Sequence, residues 1–115
     1  MRIFDTHAHY DHALFKNEGP KILHELIENK TVSGAIIPAI SFESNYCRDM
    51  FPEQDFPSVW FAAGLHPKVA SNTKFWGRSE RAEFEKLLEE PRTKAIKTGL
   101  DYSRIHQPES QKERQ

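Results

Sequence analysis

Asp5-Thr6-His7-Ala8-His9-Tyr10-Asp11, near the amino terminus, carries at every second position a side chain able to ligate a metal or move a proton. Along an extended strand alternate side chains share a face, so Asp5, His7, His9 and Asp11 all point one way if a strand runs through them. Histidines spaced like this have Cα atoms ~6.6 Å apart, and bonds of about 2.1 Å let both imidazoles reach one ion. Asp5, on the same side as His7, is placed to accept from the outer nitrogen of an imidazole and fix its orientation. Asp11 either does the same or closes a turn. A bare His-x-His is also how two ordinary histidines in a surface turn look, so the rest of the chain has to decide.

These groups need elements to position them, and strand-like runs alternate with helix-like ones. Arg2 to Asp5 opens as a short strand. From Pro20 to Lys30 the apolar residues Ile22, Leu23, Leu26 and Ile27 recur at helical spacing behind a proline suited to a first turn. Gly34 to Ala39 reads as a buried strand with Pro38 near its end, and Glu43 to Phe51 as a helix broken by Pro52. Val59 to Gly64 is the clearest strand. Arg78 to Glu90 is a helix with Phe84, Leu87 and Leu88 inward, stopped by Pro91, and Lys94 to Gly99 is a fourth strand.

Strands too apolar to leave a face in water, separated by helices, predict an α/β fold of parallel strands with right-handed crossover helices. A small open α/β sheet is the other arrangement that fits. Either way His7 and His9 end the first strand, His66 the third, and Lys97 and Asp101 the fourth, the side on which such folds keep their chemistry. Residues 1–103 form this domain. Residues 104–115 form a tail whose stretch from Gln107 to Gln115 is polar, offers no apolar anchor and is expected to fray.

Composition narrows the partners. Sixteen Lys and Arg against seventeen Asp and Glu leave a net charge of −1, so no global field advertises a nucleic acid or an acidic membrane. A nucleic-acid substrate would need a local patch, and no basic run interleaved with aromatics supplies one. Cys47, the single cysteine, excludes an internal disulfide and fits a reducing compartment. No apolar run approaches ~18 residues and the histidine motif begins at once, so a cytoplasmic protein without a membrane anchor is expected.

The Asp-Thr-His-x-His-x-Asp segment behind its apolar opening resembles the amino-terminal signature of the TatD family of metal-dependent hydrolases, relatives of the amidohydrolases. Gly64-Leu65-His66-Pro67 and Gly99-Leu100-Asp101-Tyr102 resemble two further motifs of that family, in the same order. The resemblance implies a (β/α)8 barrel of which 115 residues supply roughly the first four βα units, residues 104–115 then beginning a helix cut short. It further implies hydrolysis of phosphodiesters in DNA by water activated on divalent ions, zinc, manganese or magnesium, two of them in the complete site. His7 and His9 match metal ligands, and His66 matches a histidine that lines the substrate cleft.

Lys97 departs from the family, which has a glutamate here that bridges the metals. An ammonium between Ile96 and Thr98 on an apolar strand is costly to bury unless something compensates. A deprotonated lysine can add carbon dioxide, as related amidohydrolases do, giving a carbamate that ligates metal. Retained as an ammonium, Lys97 would pair with Asp5 or Asp101 and fill the metal position with its own charge. The family's later ligands have no counterpart in these residues, so weak or absent turnover is expected of them alone. Unpaired outer strands would then invite self-association. The competing readings are a noncatalytic α/β interaction module and a carboxylated-lysine hydrolase of esters or amides.

Overall fold

The computed structural model describes residues 2–39, 43–64 and 77–98, with the backbone alone for 43–46. Strands β1 (Ile3–Asp5), β2 (Val32–Pro38), β3 (Val59–Gly64) and β4 (Thr93–Lys97) form one sheet in the order β1-β2-β3-β4. Every neighbouring pair is parallel. Parallel neighbours consecutive in sequence require a crossover each time. Helix α1 (Gly19–Glu28) lies between β1 and β2, a 3-10 helix (Glu43–Met50) between β2 and β3, and helix α2 (Arg78–Glu89) between β3 and β4. This is the expected α/β architecture, a run of TIM-type βα units.

Alternation along the two central strands sets the core. Ala35 and Ile37 of β2 and Val59 and Phe61 of β3 are buried with Leu23 of α1 and with Phe51 and Phe56 of the segment leading into β3. Phe51 meets Phe56 edge-on at 5.3 Å between ring centroids. The structure corrects several sequence expectations. Helix α1 begins one residue earlier, at Gly19, where a side chain would collide with the Tyr10 carbonyl. Residues 43–50 wind as a 3-10 helix. In α2, Leu87 is buried but Leu88 is 39% exposed. The outer strands do not bury both faces: Ile3 is 55%, Phe4 40% and Ile96 62% exposed. Among the described residues β1 and β4 each have a neighbour on one side only.

Arg92, which the sequence reading passed over, ties the core to the last strand. Its guanidinium donates to the carbonyls of Phe51 at 2.6 Å, Phe56 at 3.2 Å and Val59 at 3.0 Å. It also lies 4.9 Å from the centroid of the Phe61 ring, which Arg48 approaches at 4.7 Å. Arg48 in turn donates to the Thr93 hydroxyl at 2.7 Å, and that hydroxyl donates to the Leu87 carbonyl at 2.8 Å. One planar fork thus gathers three carbonyls where the chain turns into β3, of which that of Phe56 also accepts the Val59 N–H at 3.2 Å. Replacing Arg92 with Met is expected to cost about 2 to 3 kcal/mol in urea denaturation, the scale of hydrogen bonds to a charged group. Arg92→Lys should recover only a small part, because an ammonium cannot span the three acceptors.

Candidate functional site

Strand β1 stops at Asp5 for a local reason. The Asp5 carboxylate accepts the backbone N–H of His7 at 3.1 Å, and this bends the chain at Thr6 and His7. The extended strand expected through His9 therefore does not form, and His7 and His9 lie on the loop that follows β1. Asp5 braces that loop through its backbone rather than through an imidazole nitrogen. The loop is tied down along its length. Ala8 N–H donates to the Ile36 carbonyl near the end of β2 at 3.3 Å, and His12 N–H donates to the His9 carbonyl at 3.0 Å. His12 Nδ1 then accepts from Leu14 N–H at 3.0 Å, capping a 3-10 turn over Ala13–Phe15. Left-handed Lys16 (φ 50°) and Asn17 (φ 67°) turn the chain into α1.

The two histidine rings converge although the strand is lost. Their centroids are 5.1 Å apart at an interplanar angle of 84°. Imidazoles bound at about 2.1 Å to one tetrahedral ion have centroids roughly 5 Å apart, a separation that this pair matches. His9 Nδ1 and Asp11 Oδ1 are buried without a hydrogen-bond partner. Each is an unsatisfied buried polar group, which costs about 1 to 3 kcal/mol. Burial lowers the pKa of His9, Lys97 lowers it further, and Asp11 opposes them.

Lys97 acts on His9 through its charge. It is the last residue of β4, paired in register with Gly64 of β3. The missing side chain of Gly64 lets the Lys97 backbone close against it. Burial lowers the Lys97 pKa and the Asp11 carboxylate pushes it back up. The carboxylate that Lys97 feels is thus Asp11, not Asp5, while Asp101 lies outside the described residues. His66 and the Gly99–Tyr102 motif lie outside them too. The sequence reading left Asp11 between two roles and gave His12 none. The signal for Asp11 was its continuation of the every-second-residue spacing beyond His9.

Among the described residues no group of three or more His, Cys, Asp or Glu assembles to hold a metal. The described chain offers a cation two nitrogen ligands and a neighbouring carboxylate, where a catalytic zinc needs three protein ligands. A cavity of about 500 Å³ lined by Arg48, Asp49, Glu83, Lys86, Leu87 and Glu90 shares no residue with the histidine loop. Its mixed charges single out no ligand.

Parallel βα units with a histidine loop after the first strand and a lysine at the end of the last define a TIM-type α/β protein with its polar groups on the rim used for chemistry. A family profile described as TatD related DNase matches residues 4–115, and the chain belongs to that family, whose fold is a TIM barrel and whose members are metal-dependent hydrolases. No curated protein matches the chain.

Cys47 packs against the hydrophobic core. Burial first, and the Asp11 charge second, push its thiol up to about 12, with Arg48 acting against them. A thiol raised from an unfolded value of 9.0 favours folding below pH 9, and this contribution is lost as pH rises from there toward 12. Two outcomes are expected. Cys47 should resist a thiol reagent at pH 8 until urea unfolds the chain, and Cys47→Ala should flatten the decline in stability between pH 9 and 11.

Proposed function

We propose that the protein is a hydrolase of phosphodiester bonds in DNA, working with a divalent cation held by His7 and His9. The observation that carries this reading is the convergence of the two rings at 5.1 Å beside a buried His9 nitrogen with no other partner. Membership of the TatD related DNase family supports the choice of substrate, which charge does not suggest. A cation there would supply Lewis acidity toward the phosphate and lower the pKa of a water. Asp5 holds the backbone of His7 in place, and Asp11 sets a negative charge beside His9 and Lys97. Lys97 completes the metal-proximal set, as a carbamate ligand or as a charge, and His66 is assigned contact with the phosphate or the leaving group. Nitrogen donors favour zinc or manganese over magnesium. The single cysteine suits a cytoplasmic place of action.

A noncatalytic α/β module is the second reading, favoured by the lack of a three-residue donor group among the described residues. Zinc titration separates the two. His7→Ala and His9→Ala are each expected to weaken zinc binding by more than about tenfold, since even the partners of ligands are worth 10 to 100-fold. Cleavage of a DNA oligonucleotide should disappear with a chelator and return with zinc or manganese. Zinc affinity unchanged in both variants would leave the noncatalytic reading standing.

A further inference from the structure

A ligand carried on a loop binds only as well as the loop is held, because the freedom the chain gives up on binding is subtracted from the affinity. His9 is such a ligand. On one side its path is fixed by the Ala8 N–H, which donates to the Ile36 carbonyl of β2 at 3.3 Å. The other side depends on His12. We propose that His12 is a positioning residue of the cation site, its neutral ring capping the turn over Ala13–Phe15 and its backbone tying that turn to His9. The inference rests on the cation site proposed above and adds to it a residue that otherwise has no part there.

Three bonds meet at His12. Its N–H donates to the His9 carbonyl at 3.0 Å, closing a turn through Tyr10 and Asp11. Its Nδ1 accepts from the Leu14 N–H at 3.0 Å, and its carbonyl accepts from the Phe15 N–H at 3.0 Å. The backbone at His12 is extended (φ −66°, ψ 141°), as it is in residues that cap a helical turn. Two residues back, Tyr10 is buried in the core, and its ring stacks on that of Phe15 with centroids 6.0 Å apart. The segment from His9 to Phe15 is therefore one folded unit seated on the core, and the His12 ring joins its first turn to its second. An imidazole that accepts at Nδ1 carries its proton at Nε2 and is neutral. It caps the turn without setting a second anion next to Asp11, as an aspartate would.

The test uses the full chain and titrates zinc by calorimetry. His12→Ala should weaken binding about fivefold, the size of a lost cap, and His12→Asn, whose amide oxygen can take the place of Nδ1, should restore most of the affinity. Glu80→Ala removes the capping bond from the Gly77 N–H at the start of α2, and should lower the urea midpoint while leaving zinc affinity unchanged. That control separates positioning from a general loss of stability. In the unmutated chain zinc should slow hydrogen exchange at the Leu14 amide, since two events that favour one loop conformation favour each other. This measurement decides the matter even where the alanine variant does not fold. Nitrogen NMR of the metal-free chain should find the His12 proton on Nε2. Zinc affinity unchanged in His12→Ala overturns the proposal, and so does an equal loss in Glu80→Ala. An equal loss in the Ala and Asn variants would make the ring a ligand rather than a brace and overturns it too, as does an unchanged exchange rate at Leu14 or a proton on Nδ1. Zinc that fails to bind the unmutated chain removes the cation site and this role with it. Zinc binding that depends on His7 and His9 but not on His12 removes this role alone.

Discussion

Parallel pairing is the constraint on which this molecule depends. Once β1, β2, β3 and β4 all run the same way, every strand ends at the same edge of the sheet, and whatever follows each strand gathers there. The histidine loop after β1 and the lysine closing β4 are about ninety residues apart in sequence, yet His9 senses the Lys97 charge. The buried layer of Leu23, Ile37, Phe51, Val59 and Phe61 holds the sheet against its crossovers. Arg92 then bonds the approach to β3 from the first residues before β4. Coupling across the sheet therefore does not rely on hydrogen bonds between strands alone.

The rim has the opposite character. Its polar atoms are only partly paired, and burial acts on His9 and Lys97 in the same direction, toward the neutral form. A sequence selected for stability alone would place apolar or fully hydrogen-bonded residues at these positions. The contrast with the half-buried guanidinium of Arg92 is informative. Arg92 is equally foreign to an apolar core, but its donors meet three carbonyls and an aromatic face. Desolvation is compensated by hydrogen bonds at Arg92, whereas at Lys97 it is opposed by the charge of Asp11.

Much of the fold was legible because local pattern and global topology agree. The apolar run Val59 to Gly64 and the helical spacing of Ile22, Leu23, Leu26 and Ile27 each point to one element, and the structure has both. The errors fall where a side chain competes with the backbone. Nothing in the period-two spacing reveals that the Asp5 carboxylate would capture the His7 N–H and end the strand. Arg92 was invisible for a related reason: its three acceptors are set by where the chain turns, which composition does not report. Leu88 and Ile96 have core-like chemistry but remain exposed, because burial depends on neighbours that the pattern of one element cannot specify.

Asp5 and Asp11 flank the histidine pair symmetrically in sequence, and the structure breaks that symmetry. Asp5 sits at the last residue of a strand, where the next free N–H is two residues away and within reach, so its charge is used to fold the loop. Asp11 comes after the bend, in a turn already closed by the backbone bond from His12 to His9. With no local donor to satisfy it, its oxygen stays buried and its field falls on His9, Lys97 and Cys47. The same residue type two positions from a histidine is thus a brace on one side and an electrostatic partner on the other. What separates the two roles is the supply of unpaired backbone N–H groups. The carboxylate that finds none is left to act through its charge on Lys97 and His9.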